Sequence, residues 1–208
     1  MELHQKLAAV RLVPVIVIKD LAHAVPLAKA LVEGGLSVLE VTLRSDVALE
    51  AIATIKAQVP GALVGAGTVT NAQQFAAAAH AGSQFVVSPG LTPAVVDASR
   101  THNVPILPGV ATASDIMRGL DMGLDFFKFF PAETSGGAPA IKAFGGPFAH
   151  VRFCPTGGIG PANLASYLSL PNVVCAGGSW MVPSDLGAPG AFETATKLSR
   201  EASKLAHT

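Results

Sequence analysis

Short β-rich apolar runs return along the whole chain, each followed by a longer Ala- and Leu-rich stretch, and this alternation restricts the fold more than any other feature. The runs lie at 13–18, 38–42, 62–64, 84–87, 104–107, 125–130, 151–154 and 173–176. Between them, 21–33, 47–57, 72–81, 93–101, 114–122 and 162–168 have the composition of helices. Strands that alternate with helices make a parallel sheet. About eight strand–helix units in 208 residues match a compact (β/α)8 TIM barrel. A doubly wound sheet of this length more often has about six strands and a GxGxxG opening its first helix. The expectation is an α/β protein with a single barrel domain over 1–208. An extra N-terminal helix at Leu3–Val10 would close the barrel's bottom, and 188–206 would form a last outer helix.

Composition narrows the function. Half the residues are hydrophobic and 13% are charged, too apolar for a disordered segment. A chain of this mass buries about 70% of its extended surface and needs no disulfide or metal staple. Fourteen basic residues balance fourteen acidic ones, which excludes the electrostatic footprint of a nucleic-acid or anionic-membrane binder. A small-molecule ligand is expected. An uncharged, apolar monomer is poorly protected against association, so a specific homo-oligomer is expected as well. Cys154 and Cys175 show no CxxC or Cys/His grouping, and the six histidines are scattered. These residues read as packing and surface positions, with no metal and no cofactor implied. The first residues carry no basic region followed by an apolar one, and no apolar run approaches about 18 residues, as expected of a soluble cytoplasmic protein.

The most unusual segment is Asp125-Phe126-Phe127-Lys128-Phe129-Phe130-Pro131, with a lysine at the centre of an aromatic strand. Period-2 alternation puts Phe126, Lys128 and Phe130 on one face, toward the barrel interior. Burial among rings disfavours the ammonium form and yields a nucleophilic amine. In 38–44, Glu40, Thr42 and Arg44 share a polar face that must be the interior or its upper rim, since helices cover the other side. Glu40 is then deep, able to move protons beside a lysine, and Arg44 offers a planar fork to a carboxylate near the mouth. The same residues also suit a structural Glu40–Lys128 or Glu40–Arg44 pair.

Glycine and proline cluster after the strands, where a barrel holds its catalytic loops. Two such turns, Thr156-Gly157-Gly158-Ile159-Gly160 and Gly177-Gly178-Ser179, follow the last two runs, where barrels commonly bind phosphate on backbone N–H groups. There is no GxxxxGK[ST], so no nucleoside triphosphate is indicated.

Taken in order, Glu40-Val41-Thr42-Leu43-Arg44, Gly65-Ala66-Gly67-Thr68, Ser88-Pro89-Gly90, Phe127-Lys128-Phe129-Phe130-Pro131-Ala132-Glu133 and Cys154-Pro155-Thr156-Gly157-Gly158-Ile159 resemble the bacterial 2-dehydro-3-deoxy-phosphogluconate (KDPG)/4-hydroxy-2-oxoglutarate aldolase family. The resemblance runs from about Arg11 to the C-terminal helix. It implies a cytoplasmic homotrimer of the Entner–Doudoroff pathway that cleaves a phosphorylated keto acid to pyruvate and glyceraldehyde 3-phosphate, and 4-hydroxy-2-oxoglutarate to pyruvate and glyoxylate. It implies that Lys128 forms the Schiff base, that Glu40 is the acid/base, and that Arg44, Thr68, Pro89 and Phe130 line the pyruvate end. Thr156 would contact the aldehyde portion, with Gly157, Gly158, Gly178 and Ser179 around the phosphate. A phosphosugar isomerase or a non-catalytic binding barrel would share the glycine loops without requiring an imine.

Overall fold

The computed structural model describes residues 3–208. The elements run α1 (Leu3–Val10), β1 (Leu12–Ile16), α2 (Ala24–Glu33), β2 (Val38–Thr42), α3 (Ala48–Gln58), β3 (Leu63–Gly67), α4 (Ala72–His80), β4 (Val86–Val87), α5 (Pro93–His102), β5 (Ile106–Leu107), β6 (Gly109–Val110), α6 (Ala113–Asp121), β7 (Phe126–Phe129), α7 (Gly137–Phe144), β8 (Arg152–Pro155), α8 (Leu164–Leu168), β9 (Ala176–Gly178) and α9 (Ala191–Ala206). Polar side chains start several helices: Asn71 accepts from Gln74 N–H, Thr92 from Val95 N–H, and Thr112 and Asp115 form a reciprocal capping box.

All strand pairs among the described residues are parallel, in a six-stranded order β5-β4-β3-β2-β1-β9 and a three-stranded order β6-β7-β8. The result is an α/β fold with a curled parallel sheet. Pro108 separates β5 from β6, and its carbonyl accepts the Lys128 N–H at 2.9 Å. Lacking an N–H, a proline inside a strand interrupts the ladder, so the chain pairs with β4 on one side of Pro108 and with β7 on the other. Bridges Phe153↔Val173 and Thr156↔Gly177 connect β8 to the segment that becomes β9.

Alternate strand residues divide the core in two. Leu39, Val41, Phe127, Phe129 and Phe153 join the large cluster shared with the helices. Val13, Val38, Phe85, Val87, Leu107, Cys154 and Cys175 form a second cluster, into which α1 inserts Leu7. The accessible surface of 9135 Å² matches the roughly 9,000 Å² of a compact chain of this mass.

Three expectations need correction. The run at 62–64 extends to Gly67, so Gly65 and Gly67 are strand residues; a Cβ on Gly65 would overlap the Phe85 ring. The run at 173–176 shifts to Ala176–Gly178, so Gly177 and Gly178 lie in β9 and not in a turn after it. There the missing side chains make room for Thr156 and for the Trp180 ring. Helix α7 has no counterpart among the expected helices. Gly136 and Gly137, both at positive φ, and Pro139 disguise it, yet a proline in the first turn removes only an N–H without an intrahelical partner.

Gly119 of α6 lies against Phe127, on the outer face of the strand that carries Lys128. A Cβ there would overlap the ring, so Gly119→Ala should lower the unfolding free energy by about 1–3 kcal/mol in urea titration. An unchanged midpoint would show that the contact yields freely.

Candidate active site

Strands β2 and β7 belong to different sheets, and each aims one charged side chain into the space between them. Lys128 Nζ donates to Glu40 Oε1 at 3.3 Å, across 88 residues of chain, with Lys128 only 6% and Glu40 only 3% exposed. The lysine ammonium also stands 5.1 Å from the centroid of the Phe130 ring, as the alternation predicts for residues on one face. Clearance for the carboxylate comes from β3, where a Cβ on Gly67 would overlap Glu40 Oε1 and stand 2.6 Å from its Cγ.

Around this pair, the strands' C-terminal ends present the other expected residues. Thr42 is buried and donates its hydroxyl to Ile16 O at 2.8 Å, while the same oxygen accepts from Arg44 Nε at 3.1 Å. Thr42 therefore fixes the root of an otherwise exposed guanidinium. Thr68, following β3, adopts φ +60°, a left-handed conformation that is unusual for a β-branched residue and characteristic of functional sites. Pro89 follows β4, and its carbonyl occupies the space that a side chain on Gly109 would need.

After β8 the chain makes a turn with Gly157 at φ +102° and Gly158 at φ +78°, which only glycine adopts readily. The carbonyls of Thr156 and Gly157 accept from the N–H groups of Ala132 (2.8 Å) and Glu133 (3.1 Å), and that of Gly158 accepts from Asn163 Nδ2 (3.0 Å). In a trans peptide the N–H points opposite to the C=O. The N–H groups of Gly158 and Ile159 are thus turned away from those partners, and neither donates a hydrogen bond among the described residues. Adjacent free backbone donors of this kind form an anion-receiving concavity. Ser179 is exposed immediately after β9.

The structure thus joins Lys128, Glu40 and Phe130 directly and sets Arg44, Thr68, Pro89, Thr156, Gly157, Gly158 and Ser179 at the same ends of the parallel strands. Gly178 is a strand residue that accommodates Trp180. Two groupings were invisible in the sequence. Cys175 and Cys154 share the interior apolar cluster, and the neighbouring thiol together with complete burial raises the Cys175 thiol well above the ordinary range. The His80 and His102 rings meet edge-to-face at 5.7 Å on the outer helices, away from this site. Among the described residues, no group of three or more His, Cys, Asp or Glu side chains is arranged to hold a metal ion.

The family model for KDPG and KHG aldolase matches residues 3–198. The chain belongs to that family. Among KDPG and KHG aldolases it is 56% identical over 190 residues to the KHG/KDPG aldolase of Escherichia coli K12, covering 91% of this chain and 89% of that protein. The crystal structure of the 2-keto-3-deoxy-6-phosphogluconate aldolase of Zymomonas mobilis ZM4 with 3-phosphoglycerate superimposes with a TM-score of 0.90 at 52% identity, covering 96% of this chain and 94% of that one. The KDPG aldolase of Legionella pneumophila, with pyruvate captured at low pH as a covalent carbinolamine intermediate, superimposes with a TM-score of 0.92 at 46% identity, covering 97% and 98%.

Gly67→Ala should drive Glu40 from Lys128. A crystal structure of the variant is expected to show the two charges more than about 4 Å apart. Unfolding free energy should fall by roughly 2–5 kcal/mol through overpacking and a broken buried pair. An intact pair at full stability would mean that Glu40 does not need the space.

Proposed function

We propose that this chain is a class I aldolase that cleaves 2-dehydro-3-deoxy-6-phosphogluconate to pyruvate and glyceraldehyde 3-phosphate, and 4-hydroxy-2-oxoglutarate to pyruvate and glyoxylate. The observation that carries the reading is the buried Lys128–Glu40 hydrogen bond, with Arg44 and Ser179 exposed at the same ends of the strands. A phosphosugar isomerase has no use for a nucleophilic amine there, and a passive binding barrel has no use for a proton acceptor beside it. The relatives' activities and the trapped carbinolamine of the Legionella protein support the same chemistry.

In this reading Glu40 takes a proton from Lys128, and the neutral amine attacks the C2 ketone. Proton transfers through Glu40 let the carbinolamine lose water and become a protonated imine. When the C4 hydroxyl gives its proton to Glu40, directly or through a water, the C3–C4 bonding pair flows into the imine. Glyceraldehyde 3-phosphate departs and an enamine remains. Protonation of the enamine at C3 and hydrolysis of the imine then release pyruvate and restore Lys128. Arg44, rooted by Thr42, holds the substrate carboxylate, with Thr68, Pro89 and Phe130 around the imine, so the breaking bond aligns with the π system. Thr156 faces the aldehyde portion. The N–H groups of Gly158 and Ile159, with Ser179, receive the phosphate.

The finer architecture belongs to the same proposal: one domain over 1–208, with β5 and β6 acting as a single strand. The two sheets then close through the β8 to β9 bridges into an eight-stranded barrel with α1 across one end. That places Glu40 and Lys128 on opposite walls. A homotrimer in the cytoplasm fits the balanced charge, the apolar composition and the two free buried cysteines. No helix among the described residues is long and apolar enough to cross a membrane.

Borohydride added with pyruvate should inactivate the enzyme and leave its adduct on Lys128 in a digest; adduct on another lysine alone would end the assignment. Lys128→Arg should abolish turnover, since guanidinium stays protonated. Glu40→Gln should slow cleavage by about 10²-fold or more, and pyruvate methyl-proton exchange at the normal rate in that variant would return Glu40 to a structural role.

Ser179→Ala should weaken binding of the phosphorylated substrate by about 1–3 kcal/mol while barely altering 4-hydroxy-2-oxoglutarate cleavage. Equal losses on both substrates would remove Ser179 from the phosphate. The exposed serine gives a cleaner test than Gly158 or Gly178, where an added Cβ also meets Glu133 or Trp180.

A further inference from the structure

The turn at Gly157 and Gly158 is braced from two directions by side chains that do not themselves belong to it. On one side, the segment after β7 runs against the turn, with Ala132 N–H on Thr156 O and Glu133 N–H on Gly157 O. The Glu133 side chain then passes over Gly158, so closely that a Cβ there would stand 2.6 Å from Glu133 Cγ and 2.8 Å from Glu133 Cβ. Its Oε1 accepts a hydrogen bond from the Tyr167 hydroxyl. Tyr167 belongs to α8 and is completely buried. Burial, followed by the hydrogen bond to Glu133, raises its phenol well above the ordinary range, so it remains a donor at any physiological pH. On the other side, Asn163 spans the turn, accepting from Gly160 N–H at 2.9 Å and donating to Gly158 O at 3.0 Å.

We propose that Glu133, Tyr167 and Asn163 are positioning residues that hold the Gly157 and Gly158 turn in the conformation that receives the substrate's phosphate. The inference rests on the reading of that turn as the phosphate site. Every carbonyl tied back by this bracing commits the N–H of the same peptide to the opposite direction. Asn163 sets the Ile159 N–H by holding the Gly158 carbonyl, and the Glu133 backbone sets the Gly158 N–H by holding the Gly157 carbonyl. Tyr167 anchors the Glu133 side chain, so the backbone donor at Glu133 cannot drift. It also keeps a carboxylate from swinging across a dianion's site, where it would repel the ligand. Donors fixed before binding need no ordering when the phosphate arrives. None of the three hydrogen-bonds to Lys128 or Glu40, so their influence falls on the distal end of the substrate.

The test measures competitive inhibition by inorganic phosphate, together with kcat and KM for the phosphorylated substrate and for 4-hydroxy-2-oxoglutarate, in full-length wild type, Tyr167→Phe, Asn163→Ala, Glu133→Ala and Glu133→Gln. Tyr167→Phe removes one oxygen, and the partly exposed Asn163 tolerates truncation, so at least one variant that removes the bracing stays folded. Tyr167→Phe, Asn163→Ala and Glu133→Ala are expected to raise the inhibition constant for phosphate and the KM of the phosphorylated substrate by about 5- to 20-fold, through loss of one bracing hydrogen bond. Their kcat should stay within about twofold, and the ratio of kcat/KM between the two substrates should fall in proportion. Glu133→Gln keeps the acceptor for Tyr167 and should recover most of what Glu133→Ala loses. An unchanged phosphate constant in Tyr167→Phe and Asn163→Ala, or parallel losses on both substrates, would overturn the inference while leaving the phosphate site in place. If wild-type enzyme is not inhibited by phosphate and does not favour the phosphorylated substrate, the reading of the turn fails and the inference with it.

Discussion

A buried charge is costly unless it is paired and hydrogen-bonded, and the rest of this structure depends on how one such pair is held. Lys128 and Glu40 lie on different sheets and meet with both side chains almost wholly removed from solvent. Their approach requires Gly67 to have no side chain, Pro108 to accept the Lys128 backbone N–H, and the Phe130 ring to sit beside the ammonium group. A pair of this kind gains little for stability over an apolar substitute. Its presence is intelligible in the proposed chemistry, where a base and a nucleophile would already be in contact and shielded from bulk solvent.

The division of labour between strand faces makes this possible. Phe127 and Phe129 face the helices and attach β7 to the large core, leaving Lys128 free to face inward. On the same face of the sheet, Cys154, Val38, Phe85 and Leu7 form an apolar cluster. The same geometry grades the polar face of β2 from the deep Glu40 through the buried Thr42 to the exposed Arg44.

Much of the site was legible in the sequence because strands write their faces locally. A lone lysine among phenylalanines and a polar residue at every second position of 40–44 are short-range signals, and they single out Lys128, Glu40 and Arg44 as candidates. Interactions joining distant segments left no such trace. Tyr167 and Glu133 are 34 residues apart, and nothing near either predicts the other. The contact between Cys154 and Cys175 depends on strand register, and the clearance at Gly67 depends on a neighbouring strand. Glycine is the most ambiguous residue in the sequence, because it marks a turn in one place and a close approach within a strand in another. Gly177 and Gly178 are of the second kind.

The paired cysteines on the interior wall have a consequence for chemical durability. Thiols react with oxidants and alkylating agents through the thiolate, which both burial and the Cys154 contact suppress at Cys175. Buried in the apolar core, both thiols stay out of reach for as long as the chain is folded. Their reactivity is then a property of the opened chain, so damage at these sulfurs selects molecules that have already lost their fold and spares those still competent to turn over.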